Sequence, residues 1–365
     1  MNKLALMRSV YASPQTIEYL DIQQWNQLIK EAYSTGMLAR LFYIFNKKQL
    51  SHFIPEQALW HFSSAFTFAQ AHRQDILIEI QHVKRAFKLS GQEPIFLKGT
   101  AYILANDEAS EGRIFSDIDV FTPIKALPKI EQLLQWQGWS FGEIDAYDDA
   151  YYRKWMHEIP ALTHKTRGST LDVHHNLLPR TSRITFESHY IESKIDTMRG
   201  ILAEEDRLIH SIVHLFLESE FDKGLRDMTD IDLLFNQYQK QDQNFANRVL
   251  SRSFELGVDV LVFYAFRNLK KYLGTKIPDD FTNKISKNAP TGLKLKLMDK
   301  LFSRVLFSPQ SIDKSAFNKL AHLVMYLRGH YMRMPLHLLI PHLLHKAIVS
   351  PINKWKKEEK SLITD

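Results

Sequence analysis

The chain has 365 residues, 45% hydrophobic and 24% charged, with 47 Lys and Arg against 41 Asp and Glu. That length exceeds one small domain and that composition supports well-filled cores, which sets disorder aside, while a mild excess of cations suits an anionic ligand such as a nucleotide without establishing nucleic-acid binding. The absence of cysteine excludes disulfides, thiolate nucleophiles and Cys-ligated zinc.

In chain order, the first 90 residues read as helical. Leu59, Phe62 and Phe66, then Ile76, Ile80, Val83 and Phe87, recur at spacings of three and four, the apolar stripe of an amphipathic helix. Pro55 stands at its start and Gly91 just past its end. The Phe-rich part, 59 to 69, is expected in the core.

The pattern then changes. "PIFLKG" (94 to 99) is a short apolar run that predicts a buried strand, and "TAYILAN" a short helix. A polar loop leads to "IFSDIDVF", a second strand. "LPKIEQLLQWQGW" (127 to 139) is helical, with Pro128 in its first turn and Gly138 at its end. "STLDVHHNL" (169 to 177) predicts a third strand. From about 183 onward helical signals return, broken by "GTKIPDD" and "SKNAPTG". The expected plan is mostly helical α+β, with a helical N-terminal region (1–90), a small mixed-sheet core (91–182) and a large helical C-terminal region (183–365).

The chemistry gathers in "SDIDVF". On a strand, Asp117 and Asp119 share one face while Ile118 and Val120 anchor the other. Two carboxylates roughly 6–7 Å apart at their Cα atoms repel each other and call for a cation. Magnesium fits, as a hard ion taking carboxylate and phosphate oxygens. In "TLDVHH", Asp172 and His174 share a face in the same way. If the strands are neighbours, Asp117, Asp119 and Asp172 form a cluster able to hold two metal ions about 3.5–4 Å apart, the arrangement suited to in-line attack at phosphorus. The chain repeats the spelling in "TDIDLLF", at Asp230 and Asp232, but in helical surroundings. Residues two apart on a helix diverge by about 200°, so this copy is read as structural, with Asp227 or Asp230 reaching a neighbouring strand end.

Together, "FLKGTAYI", the arginine four residues before the acidic pair in "RIFSDIDVF", "LDVHHNL" and the later "LIHSIVHLF…LRDMTDIDLLF" resemble the uncharacterised nucleotidyltransferase family of the DNA polymerase beta superfamily, over roughly residues 60 to 240. The resemblance implies transfer of a nucleoside monophosphate from a nucleoside triphosphate to an acceptor hydroxyl, with release of pyrophosphate. It implies that Asp117 and Asp119 hold Mg2+ (Mn2+ as a substitute). It makes Asp172 the third carboxylate, which binds the catalytic metal and helps deprotonate the acceptor. Gly99 and Thr100 match the turn that opens a helix beneath the triphosphate, and a helix N-terminus independently favours an anion. Lys98 and Arg113 are expected to neutralise triphosphate charge, and His174 to contact the nucleotide, the acceptor or Asp172. Where the wider superfamily carries two small residues before the Ser or Thr, this chain has Lys98 in the first position.

Other readings stand beside these. The member could be degenerate and bind nucleotide without catalysis, or the chain could be a helical interaction protein. The acceptor, whether sugar, small molecule, protein or RNA, is not legible. His210 and His214 have a spacing that zinc sites use, but no Glu follows His210 and no third ligand is evident, so they are read as structural. No signal-peptide core or uninterrupted apolar window of about 18 residues appears, so a cytoplasmic location is expected. The basic tail "NKWKKEEKS", with the apolar helix before it, is a solvated helix end or a weak membrane-surface contact.

Overall fold

The computed structural model describes residues 4–184, 195–217 and 219–349. The chain opens with helices α1 (Ala5–Ala12), α2 (Ile22–Ser34), α3 (Leu38–Lys47) and α4 (Glu56–Ser90). The last runs for 35 residues between its caps, Pro55 and Gly91, and the φ of +80° at Gly91 closes it in the left-handed region that glycine tolerates. The Asp21 carboxylate accepts from the Gln24 N–H while the Gln24 side chain accepts from the Asp21 N–H, a capping box that starts α2.

The mixed part follows: β1 (Ile95–Phe96), α5 (Lys98–Ala105), β2 (Ile118–Phe121), α6 (Leu127–Trp136), β3 (Trp139–Phe141), α7 (Ala146–Trp155), β4 (Leu162–His164), β5 (Thr170–His174), β6 (Ile195–Asp196) and β7 (Ile201–Leu202). The seven strands run in the order β3-β4-β5-β2-β1-β7-β6. β2 is parallel to β5 and antiparallel to β1. The three strands expected from the apolar runs are present and central. The outer ones were missed because they are two or three residues long, too short to show a period of two. Asp117 stands just before β2, outside the ladder.

The remaining helices are α8 (Glu204–Leu217), α9 (Gly224–Gln241), α10 (Phe245–Glu255), α11 (Asp259–Asn268), α12 (Asp279–Ile285), α13 (Gly292–Phe307), α14 (Ala316–Arg333) and α15 (Leu336–Leu344). The architecture is mostly helical α+β, as expected. Among the described residues no helix is long and apolar enough to cross a membrane. The basic tail from Asn353 lies outside the described residues.

Two main cores form. One packs the N-terminal helices against the C-terminal ones, uniting Trp25, Phe45 and Phe62 with Phe216, Phe235 and Phe302. The other lies under the sheet, with Phe96, Ile118, Val120, Leu171 and Val173 against α4 and α6. Helix α4 serves both: Ala58 and Phe62 enter the first core, and Ile76, Ile80, Val83 and Phe87 the second. The Phe-rich start of that stripe corrects the expectation. Phe62 is fully buried, but Leu59 and Phe68 are exposed, because the long helix turns those positions away from both cores.

Candidate active site

The register of β2 on β5 builds the site. Asp119 lies directly opposite Asp172 in this parallel pair. Side chains of opposed residues on adjacent strands leave the sheet on the same side, here away from the core that Ile118, Val120, Leu171 and Val173 fill. Asp117, two residues before Asp119, reaches the same cleft of about 480 Å3, lined also by Lys98, Arg113 and Glu158 from the sheet region and by Lys223, Arg226 and Arg333 from the C-terminal helices.

Asp119 is 2% exposed. Its Oδ1 accepts from Lys98 Nζ at 2.7 Å and lies 3.0 Å from His174 Nε2. Burial works to raise its pKa, but Lys98 and His174 outweigh it and hold the carboxyl well below its ordinary value. Lys98 responds in kind: burial lowers it, Asp119 and Glu158 raise it further, and it stays charged. Among the described residues no cation pairs with Asp172 in this way. Burial, then the charges of Asp119, Glu158 and Asp117, push its carboxyl up to about 7. Asp117 is half-buried and hydrogen-bonded by the Ser116 hydroxyl at 3.0 Å.

Lys98 gains its position from an unusual backbone. Its φ of +46° is in the left-handed region, at the turn between β1 and α5. A non-glycine residue there costs about 1 kcal/mol or more, which the ion pair to Asp119 offsets. Gly99 is confined for another reason, since a Cβ on it would meet the Phe115 ring at 2.7 Å. Gly99 and Thr100 are both buried beneath the cleft and outside its lining, and the Thr100 hydroxyl has no partner among the described residues.

Arg113 lines the cleft but is tied to its helical wall. It pairs with Asp230 and lies 3.6 Å from Asp227, both on α9. Asp230 also accepts from the fully buried Arg40 at 2.5 Å. Asp232, two residues on, points elsewhere: it accepts from Tyr11 at 2.8 Å, Thr275 at 2.6 Å and Asn236 at 2.8 Å. The helical copy of Asp-Ile-Asp is therefore split across two networks, and Asp230 does reach the approach to β2.

Several site residues escaped the sequence reading. Glu158 forms a β-bridge with His174, bringing its carboxylate within 3.6 Å of His174 Nε2. His157, Glu158 and His174 are the one set of three among the described residues whose ligand atoms all lie within 4.8 Å of one another; the three aspartates are not such a set. The adjacent His157-Glu158 in "WMHEIPALTH", just before a strand, was the available signal. Lys223 offered none beyond its charge; its Nζ lies 3.3 Å from the Ser116 hydroxyl, beside Asp117. His210 and His214 both sit on α8, and His214 lines the cleft. Burial holds both below the ordinary histidine range, His210 at about 3.

No curated protein and no solved structure matches the chain. Residues 21–274 match the model of a family described as an uncharacterised nucleotidyltransferase. That span includes both carboxylate-bearing strands, the turn at Lys98 and the α9 wall, and the chain belongs to that nucleotidyltransferase family.

Proposed function

We propose that the protein transfers a nucleoside monophosphate from a nucleoside triphosphate to an acceptor hydroxyl, using Mg2+ held by Asp117, Asp119 and Asp172. The observation that carries this reading is the pairing of Asp119 with Asp172 across β2 and β5, with Asp117 beside them in one cleft. The residues fit a divalent ion: they are hard oxygen donors, and the Asp172 carboxyl is raised first by burial and then by the charges of Asp119, Glu158 and Asp117, charge that a cation would relieve. When bound, the ion would neutralise triphosphate charge and polarise the α-phosphorus. Mn2+ would serve the same oxygens.

In this reading Asp172, poised near neutrality, takes the proton of the acceptor hydroxyl as its oxygen attacks the α-phosphorus. The bond from that phosphorus to the bridging oxygen breaks, and pyrophosphate leaves. Lys98, Lys223, Arg226 and Arg113 bind the triphosphate oxygens. Gly99 and Thr100 shape the start of α5 from below, and His174 orients Asp119. We propose the segments 1–90 and 91–182 as helical arm and catalytic core, 183–365 as a mostly helical region whose β6 and β7 complete the sheet of that core, and a cytoplasmic setting, where triphosphates are supplied.

One observation favours a second reading. The Lys98 ammonium rests on Asp119 itself, where it could substitute for a metal in a member that binds nucleotide without catalysis. Calorimetry with ATP in the presence and absence of Mg2+, alongside a pyrophosphate-release assay with a panel of acceptors, separates the two. Magnesium-dependent binding with pyrophosphate release is expected. Tight metal-independent binding without release would establish the second reading, and no binding of any triphosphate would sink both.

A further inference from the structure

Helix α14 carries apolar residues on its outer side while its inner side, with Ala321, Met325 and Gly329, also takes in polar ones. It buries Asn318, whose amide donates to the Ser308 and Asp313 carbonyls at 2.9 and 2.8 Å, and His322, 3.2 Å from the Ser308 carbonyl. Its outer side shows Phe317, Leu320, Val324, Leu327 and Tyr331, spaced by three and four along one stripe, with Phe317 70% exposed. The surface continues onto its neighbours. Helix α13, packed on α14, exposes Leu293 and Leu297, the first at 83%. Helix α15 exposes Leu336, Ile340 and Leu344. A contiguous apolar surface of this kind marks an interaction site.

Charge says what meets it. From Lys314 to Lys357 the sequence contains no Asp or Glu, in a chain that otherwise carries 41 of them. Lys319 is exposed beside the stripe on α14, and Lys294, Lys296 and Lys300 are exposed on α13 among its leucines. A second copy of the chain would bring the same cations against themselves. An anionic lipid surface accepts both the leucines and the lysines, as interfacial helices do.

We propose that α13, α14 and α15 form a face that docks on the surface of an anionic bilayer, without crossing it. This does not depend on the nucleotidyl-transfer reading. The face is nevertheless coupled to the cleft: His345 and His342 stack on Tyr147 and Tyr151 of α7 at 3.6 and 4.0 Å, and Tyr152 of α7 and Arg333 of α14 line the cleft itself.

The test is co-sedimentation of the full chain with vesicles of phosphatidylglycerol and, separately, of phosphatidylcholine, with light scattering in solution. Binding to the anionic vesicles at least about tenfold tighter, weakened by salt, is expected. The L320E/L327E double variant, on exposed positions, should lose about tenfold or more of that binding while keeping its circular dichroism and ATP binding. A K354Q/K356Q/K357Q variant should keep most of it. The proposal is overturned by equal or absent binding to both vesicles, by loss only in the tail variant, or by a wild-type dimer that L320E/L327E dissociates.

Discussion

The same three letters, Asp-Ile-Asp, do opposite work at 117–119 and at 230–232. At the sheet, β2 sets Asp119 opposite Asp172, and Asp117, just before the strand, lines the same cleft. On α9, a period of 3.6 sends Asp230 to Arg40 and Arg113, and Asp232 to Tyr11, Thr275 and Asn236. The first copy gathers like charge around Asp172, while the nearest ion pair, from Lys98, goes to Asp119. In the second each carboxylate is satisfied on its own. What a motif does is therefore set by the backbone period beneath it, and an accumulated, under-compensated charge is what distinguishes a site from a structural network.

The largest expected effect breaks the first copy alone. Asp117→Ala should lower pyrophosphate release by about 10^3-fold or more, the loss of several kcal/mol of stabilisation at phosphorus. Because Asp117 is half-buried and bonded to its neighbour Ser116, the melting temperature should hardly move. Turnover within tenfold of the parent would remove Asp117 from the machinery. Next in size is Asp230→Ala, which should do the reverse. It strands the Arg40 guanidinium, 1% exposed, and should cost about 3–5 kcal/mol of stability by denaturant titration. Activity well below the lowered transition should fall much less than for Asp117→Ala. A loss of activity as deep with no loss of stability would make the two copies equivalent.

How much of this was legible follows from where the information lies. The carboxylates on β2 and β5 were readable because alternation is local: Ile118 and Val120 declare one face, so Asp119 must take the other. The splitting of Asp230 from Asp232 was readable for the same reason. The pairing of β2 with β5 was a conjecture, since strand neighbours are chosen by long-range packing that no local period encodes. Glu158 left only the adjacent His157-Glu158 pair as a signal and Lys223 none, because each owes its place to a loop or helix start brought in by the tertiary fold. Lys98 lay between these. Its place just after a strand and before Gly99 was plain, but not that it would hold the left-handed backbone, φ +46°, where the wider superfamily uses a small residue.

A smaller effect, on the charge balance itself, sharpens the contrast through pH. The Asp172 carboxyl is raised to about 7, chiefly by burial and then by Asp119, Glu158 and Asp117. In the metal-free protein it therefore keeps a proton that the unfolded chain has already lost. Its contribution to stability is full below the ordinary carboxylate pKa and is lost as pH rises through about 7. Protons and Mg2+ compete for the same oxygens, so the rise in melting temperature on adding Mg2+ should grow from pH 5.5 to pH 8. Asp172→Asn should flatten that dependence. A magnesium shift independent of pH in the parent protein would show that Asp172 does not bind the ion.

The smallest effect is expected at Asp232, and it tests whether charge matters in the helical copy. Burial raises this carboxyl, and the hydrogen bonds from Thr275, Tyr11 and Asn236 only partly offset it. What its neighbours ask for is an acceptor, and a negative charge is incidental. Asp232→Asn keeps an oxygen for Thr275 and Asn236, and its amide can donate to the Tyr11 hydroxyl, which accepts as readily as it donates. The cost should be about 1 kcal/mol or less. Since a raised carboxyl loses its stabilising proton as pH rises, the variant should compare best with the parent at pH 8. Pyrophosphate release should be unchanged. The same isosteric exchange at Asp119 removes the charge that holds Lys98 and faces Asp172, and there it should abolish transfer. If Asp232→Asn were the more damaging of the two, the division between a site on the sheet that needs its charge and an Asp232 on the helix that needs only its hydrogen bonds would fail.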